Sequence, residues 1–184
     1  MLPTEELKQE HRVIERMLAV METAAVRANA GAEPPADFFV KAVYFVRNFA
    51  DRCHHGKEED NLFPAMEKRG ISKNGGPIAV MLMEHERGRS YVRAMEEAGK
   101  RFATGDRTAL RPALENALAY AQLLRQHIDK EDNILYPMAD RMLTATDQQE
   151  LLQKFEKVEQ ERIGAGKHDE YLKLVEELEQ AVNK

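Results

Sequence analysis

Apolar residues in this chain recur at helical spacing, and each of the four longest stripes carries a histidine. At about 100° per residue, Leu7, His11, Ile14, Leu18 and Met21 or Ala25 share one line. Phe39, Val43, Val46 and Ala50 lead to His54 and Glu58 on a second. Ile78, Met81 or Leu82, His85, Val92 and Met95 form a third. Ala113, Ala117, Tyr120, Leu124, His127, Glu131, Ile134 and Met138 form a fourth. A chain patterned in this way buries imidazoles and carboxylates in its own core.

Breakers separate the stripes. Thr4 is expected as the N-cap of a first helix that runs to about Arg27, where "NAGAEPPAD" interrupts it. A second helix is predicted over roughly Phe38 to Leu62, with Pro64 kinking or ending it. After "RGISKNGGP" a third runs from Pro77, at the first helical position, to Phe102. After "ATGD" a fourth runs from Thr108 to Met142. Shorter helices follow over Asp147 to Arg162 and Lys167 to Val182, split by "GAG". Short connections between long helices imply an all-α fold, an up-down-up-down four-helix bundle with a C-terminal helical extension. We expect a single domain over residues 1–184, with the bundle at about 4–142 and the extra helices at about 147–182.

The chain also repeats itself. "HHGKEEDNLFP" (54–64) and "HIDKEDNILYP" (127–137) align residue for residue, and each follows an earlier "EH" pair by forty-odd residues. His54 matches His127, and Glu58 matches Glu131. His55 falls opposite Ile128, about 100° from the stripe's centre. Repeat and stripe both favour His54 with Glu58 over His55 with Glu59.

Buried glutamates are rare unless paired or bound to a cation. A lone core histidine usually only hydrogen-bonds, but here four gather, and two carry a carboxylate one turn on. No lysine or arginine lies on the same inward lines to neutralise Glu58 and Glu131. A metal site of His11, His54, Glu58, His85, His127 and Glu131 is therefore expected. Six donors exceed the four of a closed zinc site. They suit two ions bridged by the carboxylates, with iron favoured over manganese by the donor set. The His-x-x-x-Glu order does not match the Glu-x-x-His units of ferritin-like centres.

Composition narrows the partners. With 27 basic and 32 acidic residues the formal charge is -5, which offers no footprint for nucleic acid or an anionic membrane surface. No apolar run approaches the roughly 18 residues that a membrane span needs. The single cysteine, Cys53, forms no internal disulfide, and the polar N-terminus lacks a signal-peptide core. A cytoplasmic protein is expected.

Together, His11, "HHGKEEDNLFP", "GGPIAVMLMEHERG" and "HIDKEDNILYP" resemble the hemerythrin-like (HHE cation-binding) family over nearly all of residues 4–142. The resemblance implies a left-handed bundle around an oxo- or hydroxo-bridged diiron centre. It implies His11, His54, His85 and His127 as terminal ligands and Glu58 and Glu131 as bridges, with O2, NO or peroxide binding at an open iron position. Oxygen-carrying members have a fifth histidine one turn from the His85 equivalent; here Met81 and Arg89 hold those positions. Glu15, Glu59 or His55 is then the candidate to supply a further ligand, and otherwise the position is open or filled by water. Diiron binding thus follows from the resemblance more directly than reversible oxygen carriage does.

The leading expectation is a protein, monomer or homodimer, that binds a small diatomic for sensing, storage or scavenging. Two alternatives remain. One is a diiron enzyme acting on nitric oxide or peroxide or in iron–sulfur repair, ranked lower because the sequence lacks the cysteine-bearing N-terminal domain of the repair relatives. The other is an iron-responsive regulatory domain. Glu10 and Glu84, next to His11 and His85, are expected to point away from them at the surface or beside the site. Gly88 and Tyr120 are read as packing or as room and a hydrogen bond for a ligand. Cys53 is read as packing, and His168 as a surface residue.

Overall fold

The computed structural model describes residues 1–164 and 167–183, so Ala165 and Gly166 of the expected "GAG" break lie outside the described residues. The described residues contain helices and no strand. Helix α1 is Pro3–Asn29. Its N-cap is Leu2 rather than the expected Thr4, because Pro3 lacks an N–H and suits the first helical position. The Thr4 hydroxyl instead donates to Asp140 at 2.6 Å.

Helix α2 covers residues 38–68, α3 is Gly76–Ala103, and α4 covers residues 110–142. Within α2, the stretches Val46–His55 and Glu58–Leu62 bond from residue i to i+5, and Glu131–Leu135 does so within α4. A proline ring clashes with the carbonyl four residues back and offers it no N–H. Before Pro64 and Pro137 the chain answers with a wide turn. The Phe63 N–H reaches the Glu58 carbonyl, and the Tyr136 N–H reaches that of Glu131. Pro64 therefore does not end α2, which runs on to Lys68. The distortion sits in the turn before it.

Wide turns also rotate the side chains around the helix axis. Ile134, expected on the inward line, is 55% exposed, and Leu135 takes its place in the core at 1%. Across Val46–His55 the same effect turns both His54 and His55 inward.

The core has three levels. Ile14, Ala50, Val92 and Leu124 belong to one apolar cluster, and Leu7, Leu62, Ile78 and Leu135 to another. On every long helix the inward histidine falls between the two. The polar groups therefore form a layer that both apolar clusters seal from water. The remaining helices pack outside this bundle. Helix α5, Ala145–Val158, continues as Glu159–Ile163 and lies against α1 and α2. It opens on a reciprocal cap in which Thr144 and Asp147 each bond the other's backbone N–H. Helix α6, Lys167–Val182, covers α1 and α2 with Tyr171, Val175, Leu178 and Val182. Its Glu179 takes a forked bond from Arg16 at 2.9 and 2.7 Å. His168 is exposed, as expected.

One close approach fixes the spacing of α2 and α3. A β-carbon on Gly99 would lie 2.5 Å from that of Phe39. Gly99→Ala should cost about 1–3 kcal/mol. For a chain of this size that lowers the melting temperature by about 2–4 °C per kcal/mol. Calorimetry on the purified variant checks it; an unchanged melting point would mean the helices separate freely there.

Candidate metal centre

The six residues singled out in the sequence meet in the polar layer, and His55 joins them. His11, His54 and Glu131 form one group of potential donors; His55, Glu58, His85 and His127 form a second. The carboxylates span the two groups. Glu131 lies 3.2 Å from His11 Nε2 and 3.1 Å from His127 Nε2. Glu58 lies 3.8 Å from His54 Nε2 and 3.5 Å from His85 Nε2.

His55 lies off the stripe only if every turn is α-helical, and the wide turn over Val46–His55 brings it inward. With His55 aimed inward, α2 places a fifth imidazole in the layer, where α3 has Met81 and Arg89 beside His85. Of the other candidates, Glu15 pairs with Arg12 near the surface, and Glu59 binds the outer side of His85.

Each buried imidazole is held from behind. His54 Nδ1 donates to Glu10 at 2.9 Å, and His85 Nδ1 to Glu59 at 2.6 Å. His127 Nδ1 donates to Glu84 at 2.8 Å, and His11 Nδ1 to Asp132 at 2.8 Å. These four bonds form a ring: each long helix sends one acid to the histidine of the next, and α4 closes back on α1. His55 Nδ1 turns to Asp51, one turn back on its own helix, at 3.3 Å. In the neutral form of a ring held this way the proton sits on Nδ1 and the Nε2 lone pair faces the centre. Glu10 and Glu84 do point away from their sequence neighbours, as adjacent helical residues must, but toward the next helix rather than to solvent.

A buried cation was also missed. Lys57 is 0% exposed and binds Glu6, Glu10 and Glu159. Its single charge offsets only part of those three acids, and Glu58 and Glu131 have no lysine or arginine partner among the described residues.

The family model for the hemerythrin HHE cation-binding domain matches residues 2–139, all of α1 to α3 and nearly all of α4. The chain belongs to the hemerythrin HHE cation-binding family. Relatives of this hemerythrin-like chain include uncharacterized proteins from Mycobacterium bovis and Mycobacterium tuberculosis, each 25% identical over 97% of this chain and 69% of the relative. No solved structure matches it. No helix among the described residues is long and apolar enough to cross a membrane.

The residues present fit a cation. His54 Nε2, His55 Nε2, Glu58 Oε2 and both carboxylate oxygens of Glu131 are buried without a hydrogen-bond partner among the described residues. His85 Nε2 and His127 Nε2 face each other at 3.0 Å. Orphaned atoms of this kind are costly unless something binds them. Protons alone resolve the crowding awkwardly. Burial and the charge of Glu131 push the Glu58 carboxyl well above its ordinary range. Burial would raise Glu131 too, but His127 and His11 hold it well down. Burial opposes charge on His127, yet Glu131 and Glu84 outweigh it and lift His127 to about 9. Burial, with His55 and His127 nearby, drives His85 well below the usual imidazole range. Metal ions would relieve all of these conflicts with the side chains where they stand.

Proposed function

We propose that this chain holds two iron ions within an up-down-up-down bundle and takes up a small diatomic, O2 or NO, for sensing, storage or scavenging in the cytoplasm. One observation supports it above all. Five imidazoles, each held by a carboxylate on its outer nitrogen, aim their inner nitrogens at two buried acids that have no lysine or arginine partner among the described residues. His11, His54 and Glu131 would hold one ion, and His55, His85 and His127 with Glu58 the other. Glu58 and Glu131 each approach both groups and would bridge. A nitrogen-rich set without thiolate favours iron over manganese, which prefers oxygen donors. When bound, the iron pair supplies the electrons for binding or reducing a small ligand.

The protein's part is to orient, seal and admit. The two apolar clusters exclude bulk water. A cavity of about 630 Å³ opens between α2 and α3 and reaches His55 at its inner side. There the Tyr120 hydroxyl is buried without a partner among the described residues, beside Gly88, whose missing side chain leaves its ring uncrowded. That hydroxyl can donate to a small guest. The second group is thus the accessible one.

Iron-replete expression should give about two irons per chain. A near-ultraviolet charge-transfer band should appear after exposure to air and shift with azide. Fewer than one iron per chain under those conditions overturns the reading.

A further inference from the structure

The two repeats are not equivalent outside the metal layer. Lys57 and Lys130 occupy matching positions, and each binds the acid that holds the matching histidine: Lys57 with Glu10 behind His54, Lys130 with Glu84 behind His127. Lys130 is partly exposed. Lys57 is sealed beneath α5. Its ammonium, with three donors to place, contacts Glu6 at 2.7 Å, Glu10 at 2.6 Å and Glu159 at 2.6 Å. The ring of Phe155 on α5 lies 5.5 Å from its Nζ. Glu10 uses Oε1 for Lys57 and Oε2 for His54, so a continuous strap runs from Glu159 through Lys57 and Glu10 to His54.

We infer that Lys57 and Glu159 are positioning residues through which helix α5 with its continuation and the metal group of His11, His54 and Glu131 stabilise each other. The inference rests on the two-iron reading above. Three acids against one ammonium leave a net negative charge beside that group, which favours a cation there. A dication on His54 Nε2 strengthens the bond from Nδ1 to Glu10 in turn. The coupling is reciprocal: if α5 tightens the ion, the ion tightens α5. Loss of iron then loosens the extension selectively, which gives the molecule a metal-dependent change on its surface. The group with His55, His85 and His127 has no such roof.

The full-length chain carrying Glu159→Gln tests this, with Glu156→Gln, an exposed acid on the same helix, as control. Iron release to a chelator is followed together with hydrogen exchange over residues 145–163. In Glu159→Gln one ion should leave about tenfold faster, the scale of losing an outer hydrogen-bond partner, while the other leaves at the wild-type rate. Exchange over 145–163 should rise on iron removal in the wild type and in Glu156→Gln, and depend less on iron in Glu159→Gln. Wild-type release of both ions from Glu159→Gln, or α5 exchange indifferent to iron in the wild type, overturns the coupling alone. A wild-type chain that retains no iron overturns the two-iron reading and this inference with it.

Discussion

Glu131→Ala should strip the chain of both ions. Its oxygens lie 3.2 Å from His11 Nε2 and 3.1 Å from His127 Nε2, one in each donor group. Alanine there removes a donor from both positions at once and the negative charge that offsets the cations. The loss of affinity should exceed the roughly 10–100-fold that removal of an outer partner costs. Glu84→Gln supplies the comparison. Of the candidate ligands Glu84 touches His127 alone, on its far side, so that variant should weaken one ion within that range and leave the other in place. Iron per chain after gel filtration, set beside a far-ultraviolet spectrum to confirm the fold, separates the cases. Full iron content in Glu131→Ala would show that the carboxylate does not span the groups.

This contrast depends on details that the sequence exposes unevenly. Stripes and repeat together point to His11, His54, Glu58, His85, His127 and Glu131, because a core that buries a carboxylate interrupts an otherwise apolar line. They mislead wherever the helix departs from ideal turns. His55 and Ile134 are assigned to the wrong side, since i to i+5 bonding over Val46–His55 and Glu131–Leu135 rotates the residues within and beyond each wide turn. Prolines after "NLF" and "NIL" mark where such turns are wanted, although nothing local fixes how far they extend. Nothing in the sequence singles out Lys57 as buried, for lysine seldom is. Only the packing of α5, distant in sequence, reveals its role. The acid ring is half visible: the two "EH" pairs place Glu10 and Glu84 beside histidines, but which histidine each acid serves is decided by the neighbouring helix.

The same buried acids should make the metal-free fold weaker than a variant that cannot bind metal. Glu58 is 0% exposed, and with no ion its Oε2 has no hydrogen-bond partner among the described residues while Glu131 repels it. Glu58→Gln removes that charge, keeps the shape, and still accepts the Tyr136 hydroxyl bond seen at 2.7 Å. Its new amide can donate to a facing imidazole. Replacing poorly compensated buried charge by neutral groups of similar volume stabilises by about 1–4 kcal/mol, a gain of several degrees in melting temperature. The pH dependence has a definite sign. A carboxyl whose pKa is raised on folding binds its proton more tightly in the native state. Its contribution is complete below the unfolded value near 4.5 and fades as pH rises through the folded one. The advantage of Glu58→Gln should therefore widen as pH climbs above 4.5. Iron reverses the order. Each ion at a free concentration a thousandfold above its dissociation constant adds about 4 kcal/mol to the wild type, and the variant forfeits much of that. Thermal melts of both proteins, with iron and with chelator, at acid and neutral pH, should cross in this way. A metal-free Glu58→Gln that melts below metal-free wild type at neutral pH would mean that the native charge is already compensated, and that these acids need no cation between them.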